Sequence, residues 1–202
     1  DLISALDEHR TRDLGLPASC RVGTGLIDAF AGSLGVIGAH AAETADRHLA
    51  LIAGTSSCVM AFSGDSRMVP GIWGPYFGTA LPGLWQSEGG QSATGALLDH
   101  IIRLHGQGGE PDAQMHSRII GRIGELRAAE PHLAPQLHVL PDFHGNRSPF
   151  ADPHATGAIS GLTLDASFDG LCRLYWRAAV SIALGVRQIL DHMNAHGYRI
   201  ES

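Results

Sequence analysis

The sequence predicts a layered domain of α/β or α+β class, and three observations predict it. Short apolar runs bounded by turn residues alternate with longer segments of helical period. At 202 residues the chain falls within the usual range for one domain or slightly more. A composition of 44% hydrophobic and 17% charged residues supplies both a core to bury and a surface to solvate.

In chain order, Arg21 to Ile27 follows Gly15-Leu16-Pro17 and reads as a strand ending near Asp28. Ala29 to Gly38 is small and glycine-rich, and reads as a short helix. His48 to Ala53 and Cys58 to Phe62 are β-like runs around Gly54-Thr55-Ser56-Ser57, the pattern of a hairpin. Pro70 to Gly83, with its aromatics, glycines and prolines, reads as an ordered loop. Ser92 to His105 is helical: Leu97, Leu98, Ile101, Ile102 and His105 repeat at i, i+3, i+4, and Gly106 suits a stop. Ala113 to Ala129 is a second helix, with Met115, Ile119, Ile123 and Leu126 on one side. Gln136 to Leu140 reads as a strand, and Pro141 to Gly161 as a long loop of the functional kind. Ser167 to Ala195 is the longest helix, its stripe marked by Leu171, Tyr175, Ala178, Ile182, Val186, Ile189 and Met193. Tyr198 to Glu201 reads as the beginning of a strand.

Composition excludes several function classes. All 14 basic residues are arginine, so no P-loop lysine or Schiff-base lysine operates here. The net charge of -6, without a basic stripe, speaks against nucleic acid as a partner. No apolar run is long enough for a membrane span. Cys20, Cys58 and Cys172 are odd in number and outside any CxxC motif, which fits core packing in a reducing, cytoplasmic compartment. The 12 histidines show neither HExxH nor zinc spacing, so no metal ligands are assigned, and no G-x-S-x-G elbow marks a serine hydrolase.

Four places carry candidate chemistry, each with a plain structural alternative. Asp28, at a strand end where α/β folds bind ligands, suits a base that takes a proton from a hydroxyl; as a common capping residue it also suits a helix N-cap, which the pattern alone favours. The backbone N–H groups and hydroxyls of the Gly54-Thr55-Ser56-Ser57 turn suit a phosphate, though a hairpin brings no helix macrodipole; the alternative is an ordinary turn. Glu88-Gly89-Gly90-Gln91-Ser92 precedes a helix that Gln91 or Ser92 caps, with Trp73 and Trp85 as sugar-pocket walls or as core residues. Arg147, in His144-Gly145-Asn146-Arg147-Ser148-Pro149, suits a phosphate or carboxylate fork, or a structural pair.

In combination these segments resemble the FGGY family of carbohydrate kinases. The resemblance lies in Val22-Gly23-Thr24-Gly25-Leu26-Ile27-Asp28-Ala29-Phe30-Ala31-Gly32, in Ile52-Ala53-Gly54-Thr55-Ser56-Ser57, and in Glu88-Gly89-Gly90-Gln91-Ser92-Ala93-Thr94-Gly95. It continues from Leu140-Pro141-Asp142-Phe143 through Arg147-Ser148-Pro149, Asp152-Pro153 and Gly157 to Gly161-Leu162-Thr163. The wording around Arg147 is closest to the pentulose, ribulokinase-type branch. The resemblance implies a ribonuclease H-like, actin-like ATPase fold with a mixed sheet flanked by helices. Residues 1–202 would form most of the C-terminal kinase domain, without the N-terminal domain and the adenosine-binding segment, and alone would show no turnover. It further implies ATP and Mg²⁺ as cofactors, Asp28 as general base, and Gly54, Thr55 and Ser56 against the transferred phosphoryl group. The expected substrate is a small-molecule sugar, a ketopentose with D-ribulose favoured; D-xylulose, L-ribulose or a polyol are alternatives. A non-catalytic interaction domain of the same fold is the alternative of another class. A homodimer is expected only on general frequency. Two positions depart from the pattern: Phe30 where relatives usually have histidine, and Thr156 where arginine is usual.

Overall fold

A four-stranded antiparallel sheet organises the chain, with helices on both of its faces. The structure, a computed structural model, describes residues 2–5, 13–17, 21–23, 25–40 and 42–201. Cys20 and Thr24 lie outside the described residues. Strand β1 (Leu2–Ala5) pairs with β2 (Arg21–Gly23). Helix α1 (Asp28–Ile37) and a 3₁₀ helix (Ala42–Arg47) lead into β3 (Leu49–Ala53) and β4 (Ser57–Ser63). Then come β5 (Trp73–Phe77), β6 (Trp85–Gln91), α2 (Gly95–Leu104) and α3 (Ala113–Ala129). Strands β7 (His138–Leu140) and β8 (Ala158–Ser160) pair with each other before the long α4 (Phe168–Ala195). The main sheet runs β3-β4-β6-β5, and every strand pairing among the described residues is antiparallel.

The sequence of β4 explains its central place. Successive strand residues face opposite sides, and both sides of Ser57–Ser63 are covered. Val59 and Ala61 join Ile189 and Met193 of α4 in one core. Met60 and Phe62 join Phe30 and Ile37 of α1 in another. A strand buried on both faces needs a continuous apolar run, which Cys58 to Phe62 supplies. On neighbouring β6, Gly89 leaves room for α4: a Cβ there would lie 2.8 Å from Ile189 Cγ2. The fully buried Gln86 receives a bond from the Thr79 hydroxyl at 2.8 Å and donates to Ser33 Oγ at 3.3 Å.

Helix α4, about 40 Å long at 1.5 Å per residue, ties two cores together. Its first half, through Leu171, Cys172, Tyr175 and Ala178, packs with α2 and α3. Its second half, through Ile189 and Met193, lies under the sheet. Ser167 caps it, the hydroxyl accepting from Gly170 N at 3.1 Å. Asp112 caps α3 in the same way, at 2.7 Å from Met115 N. Among the described residues no helix is long and apolar enough to cross a membrane.

Five expectations need correction. The strand at residue 21 ends at Gly23, not near Asp28. The segment Pro70 to Gly83 contains an edge strand, β5, in which Pro75 is tolerated because an edge has one unpaired side. Glu88 to Gln91 belong to β6, and α2 begins later, at Gly95, so neither Gln91 nor Ser92 caps it. The loop from Pro141 to Gly161 includes β8. Tyr198 to Glu201 form no strand, although Glu201 N donates to Arg47 O at 2.8 Å.

Candidate active site

The turn between β3 and β4 is fastened to the start of α2. Gly54 N donates to Ser56 O at 2.9 Å, closing the turn on itself. The first amides of a helix have no partner within it. Here Gly95 N donates to Gly54 O at 3.0 Å, while Thr94 N and Ala96 N donate to Thr55 O at 3.0 and 3.1 Å. The Thr94 hydroxyl adds a bond to Gly54 O at 2.9 Å. Gly95 makes the approach possible, because a Cβ would stand 2.8 Å from Gly54 O.

This fastening sets the direction of the turn's donors. In a trans peptide the C=O and the next N–H point opposite ways. With the carbonyls of Gly54 and Thr55 turned into α2, the N–H groups of Thr55 and Ser56 point away from it. The turn therefore presents two amides backed by the positive end of a helix. The hairpin brings no macrodipole of its own; the N-terminus of α2, bonded to the turn's carbonyls, supplies one.

Thr55 and Ser56 line a cavity of about 920 Å³. Its other walls include Ser92 and Ala96, His100 of α2, Trp73 of β5, and the loop from Phe143 to Arg147. That loop is held in place by its own polar groups. Asn146 donates to Asp142 at 3.0 Å and accepts from Phe150 N at 3.1 Å, while Ser148 Oγ donates to Gly71 O at 2.9 Å. Arg147 Nη1 donates to Cys58 Sγ at 3.5 Å, and the guanidinium carbon lies 5.1 Å from the Trp73 ring centroid. Burial pushes the Cys58 thiol above its ordinary pKa; the adjacent Glu88 carboxylate, which accepts from the thiol, pushes it further, and Arg147 opposes both.

Asp28 is the first residue of α1 and is exposed. Its Oδ1 accepts from Ala29 N at 2.7 Å, while the N-cap position belongs to Ile27. It does not line the cavity that holds Thr55 and Ser56. The two elements are nonetheless neighbours. Gly32, about 6 Å further along α1, lies against Ile52 at the end of β3, its would-be Cβ 2.9 Å from Cγ1. Of the other candidates, Trp73 and Arg147 reach the cavity and Glu88 does not line it. Gln91 turns to α4 instead, donating to Ile182 O at 2.9 Å. Trp85 packs against Phe77 at a tilt of 53°, with ring centroids 4.9 Å apart. Thr94, Gly95, His100 and Phe143 were not legible as site residues. The first two and Phe143 lie within segments that carry the family resemblance, without being singled out there.

Among the described residues no three His, Cys, Asp or Glu side chains converge on a point that suits a metal ion. The donor set at the turn, hydroxyls and amides, fits a nucleotide that carries its own Mg²⁺ on its phosphates.

Comparisons with known proteins identify the family and the fold. The family model for the FGGY family of carbohydrate kinases, C-terminal domain, matches residues 49–202. An "FGGY carbohydrate kinase domain-containing protein" of Xenopus laevis is 45% identical over 98% of this chain and 39% of its own length. A D-ribulokinase of Saccharomyces cerevisiae is 35% identical over all of this chain and 32% of its own. The crystal structure of xylulose kinase from Rhodospirillum rubrum superposes with a TM-score of 0.74 at 25% identity, covering 99% of this chain and 37% of that one. The chain thus spans about a third to two fifths of the length of the curated relatives it matches. Its fold is that of the actin-like, ribonuclease H-like ATPases.

Proposed function

The chain belongs to the FGGY family of carbohydrate kinases, within the C-terminal domain, and from that premise we propose that the full-length protein transfers the terminal phosphoryl group of ATP to a primary hydroxyl of a ketopentose, D-ribulose first. The observation that carries the reading is the pair of outward amides, Thr55 and Ser56, on the positive end of α2. Support for a pentulose comes from the D-ribulokinase relative and the Asp142 to Pro149 wording.

Phosphoryl transfer needs positioning and charge stabilisation more than covalent help. Thr55 and Ser56 hold the phosphate oxygens through their amides, with their hydroxyls beside them. Mg²⁺, bound with the nucleotide, supplies neutralisation of phosphate charge. Asp28, exposed at the tip of α1, is free to accept the proton of the attacking hydroxyl. The oxygen attacks the γ-phosphorus, the bond to the β-phosphate oxygen breaks, and ADP departs with the electron pair.

The test is ADP release from MgATP by the full-length protein, run against D-ribulose, L-ribulose, D-xylulose, L-xylulose, ribitol and glycerol. Asp28→Asn lowers kcat by about 10²–10⁴-fold with little change in sugar KM, the range of an oriented base. A folded, ATP-binding protein with no sugar-dependent release on any of these acceptors refutes the reading.

A further inference from the structure

We infer that Arg147 is a catalytic residue that donates hydrogen bonds to the phosphoryl group in flight, an inference that rests on the kinase reading above. Among the described residues it is the one side chain with a permanent charge in the cavity wall, and no carboxylate lines that cavity. Its charge is not neutralised by an ion pair among the described residues. Its hydrogen-bond partner there is a thiol sulfur, and its guanidinium carbon lies over the Trp73 ring. Most of the guanidinium N–H donors are therefore left for an anion. A guanidinium packed on a ring and a sulfur stays rigid and keeps its full charge, which is what recognition of phosphate oxygens needs.

The position fits as well as the charge. Cys58 follows Ser56 by two residues, a rise of about 7 Å along an extended chain. A phosphoryl group that bridges an amide and a guanidinium spans a similar donor-to-donor distance, about 8 Å for two bonds near 2.9 Å and the group between them. Gly90 makes room for the side chain: a Cβ there would sit 3.2 Å from Arg147 Cδ and Nη1. Cys58 packs on the same side of the sheet as Phe30 of α1. Arg147 thus approaches from the face that carries the helix of Asp28. In the transfer the hydroxyl oxygen bonds to the γ-phosphorus, its proton passes to Asp28, and the bond to ADP breaks. Arg147 donates to the equatorial oxygens throughout and exchanges no proton.

The experiment compares wild type, Arg147→Ala and Arg147→Lys in the full-length protein. With the acceptor that wild type uses, Arg147→Ala lowers kcat by about 10²–10³-fold, the usual effect of removing a charge-stabilising donor. Sugar KM, and ADP affinity by calorimetry, stay within about threefold because ADP lacks the transferred group. Binding of ADP with aluminium fluoride, a mimic of the group in flight, weakens in step with kcat, and added guanidinium restores part of the rate to Arg147→Ala. Arg147→Lys keeps the stem and the charge, melts like wild type, and recovers part of the rate. Two outcomes overturn the inference: an Arg147→Ala protein that turns over within threefold of wild type, or one in which kcat, ADP affinity and melting temperature fall together without rescue by guanidinium or lysine. A wild-type protein with no sugar-dependent ADP release refutes the kinase reading itself, which separates that failure from a failure of the arginine.

Discussion

Replacing Gly95 by alanine sets two effects of opposite sign against each other at one position. At the first residue of α2 alanine is the better helix former, by up to about 1 kcal/mol. The added Cβ, however, would stand 2.8 Å from Gly54 O and 3.5 Å from Thr55 Cα. Both are backbone atoms, so no flexible side chain is there to swing aside. Forcing an extra carbon into such a contact costs about 1–3 kcal/mol. The packing term wins, leaving a net loss of up to about 2 kcal/mol, or a melting temperature lower by up to about 8 °C for a domain of this size. The same displacement turns the Thr55 and Ser56 amides off their line. A loss of about 1.4 kcal/mol in phosphate binding raises KM for ATP tenfold while sugar KM stays put. Gly121→Ala is the control. It lies exposed within α3 with nothing within 4 Å of its would-be Cβ, so only the propensity gain operates and melting rises by about 2–4 °C. Thermal melts and the two KM values of the full-length protein decide the matter. A Gly95→Ala protein that gains stability as Gly121→Ala does, with ATP KM unchanged, refutes the fastening of the turn to the helix.

Two other groups make predictions independent of the active site. Arg122 donates to Asp169 from Nε at 2.7 Å and from Nη2 at 2.8 Å, which holds the carboxyl below the usual range. Asp165 is held low by the hydroxyl and amide of Ser167. Because folding lowers these pKa values, their contribution is complete above the ordinary carboxyl pKa, about 3.9, and is lost as pH falls through the lower folded values. The urea midpoint therefore stays level down to about pH 5 and drops below about pH 4. Asp169→Asn lowers the neutral midpoint and flattens the acid limb; an unchanged acid limb contradicts the pairing. Cys172 is fully buried in the α2–α3–α4 core, and burial pushes its thiol up to about 11. Iodoacetamide at pH 8 then modifies it only at the rate of unfolding, and reaction as fast as a free thiol's shows the packing to be wrong.

How much of the fold can be read from the sequence follows from where each element's information lies. Helix α3 was expected at Ala113 to Ala129 and occupies those residues, because its caps and its apolar stripe are local. The β3–β4 hairpin was legible for the same reason: two apolar runs flank a small-residue turn. Strand β6 was not. Glu88-Gly89-Gly90-Gln91 has no alternation of its own, and the segment is extended because β4 pairs along all of it while β5 reaches it at Glu88. Its glycines looked like room for a ligand. One of them, Gly89, is room for Ile189 of α4, a residue a hundred positions further along the chain. Strand β5 was hidden by Gly74 and Pro75, which forbid a central strand but not an edge.

The candidate site divides along the same line. A Gly-Thr turn and an aspartate near a helix start are patterns of a few residues, so both could be singled out in advance as candidates. The direction of their donors could not. The bond from the Thr94 hydroxyl to Gly54 O joins residues forty apart, and it is this bond, with the amides of Gly95 and Ala96, that decides which way Thr55 and Ser56 face. Had the turn's carbonyls pointed into the cavity, the same letters would repel a phosphate. Arg147 reads the same way. Its type suggested an anion or a carboxylate partner, and only the contact with Cys58, eighty-nine positions earlier, separates the two, because a sulfur leaves the charge available where a carboxylate would have taken it.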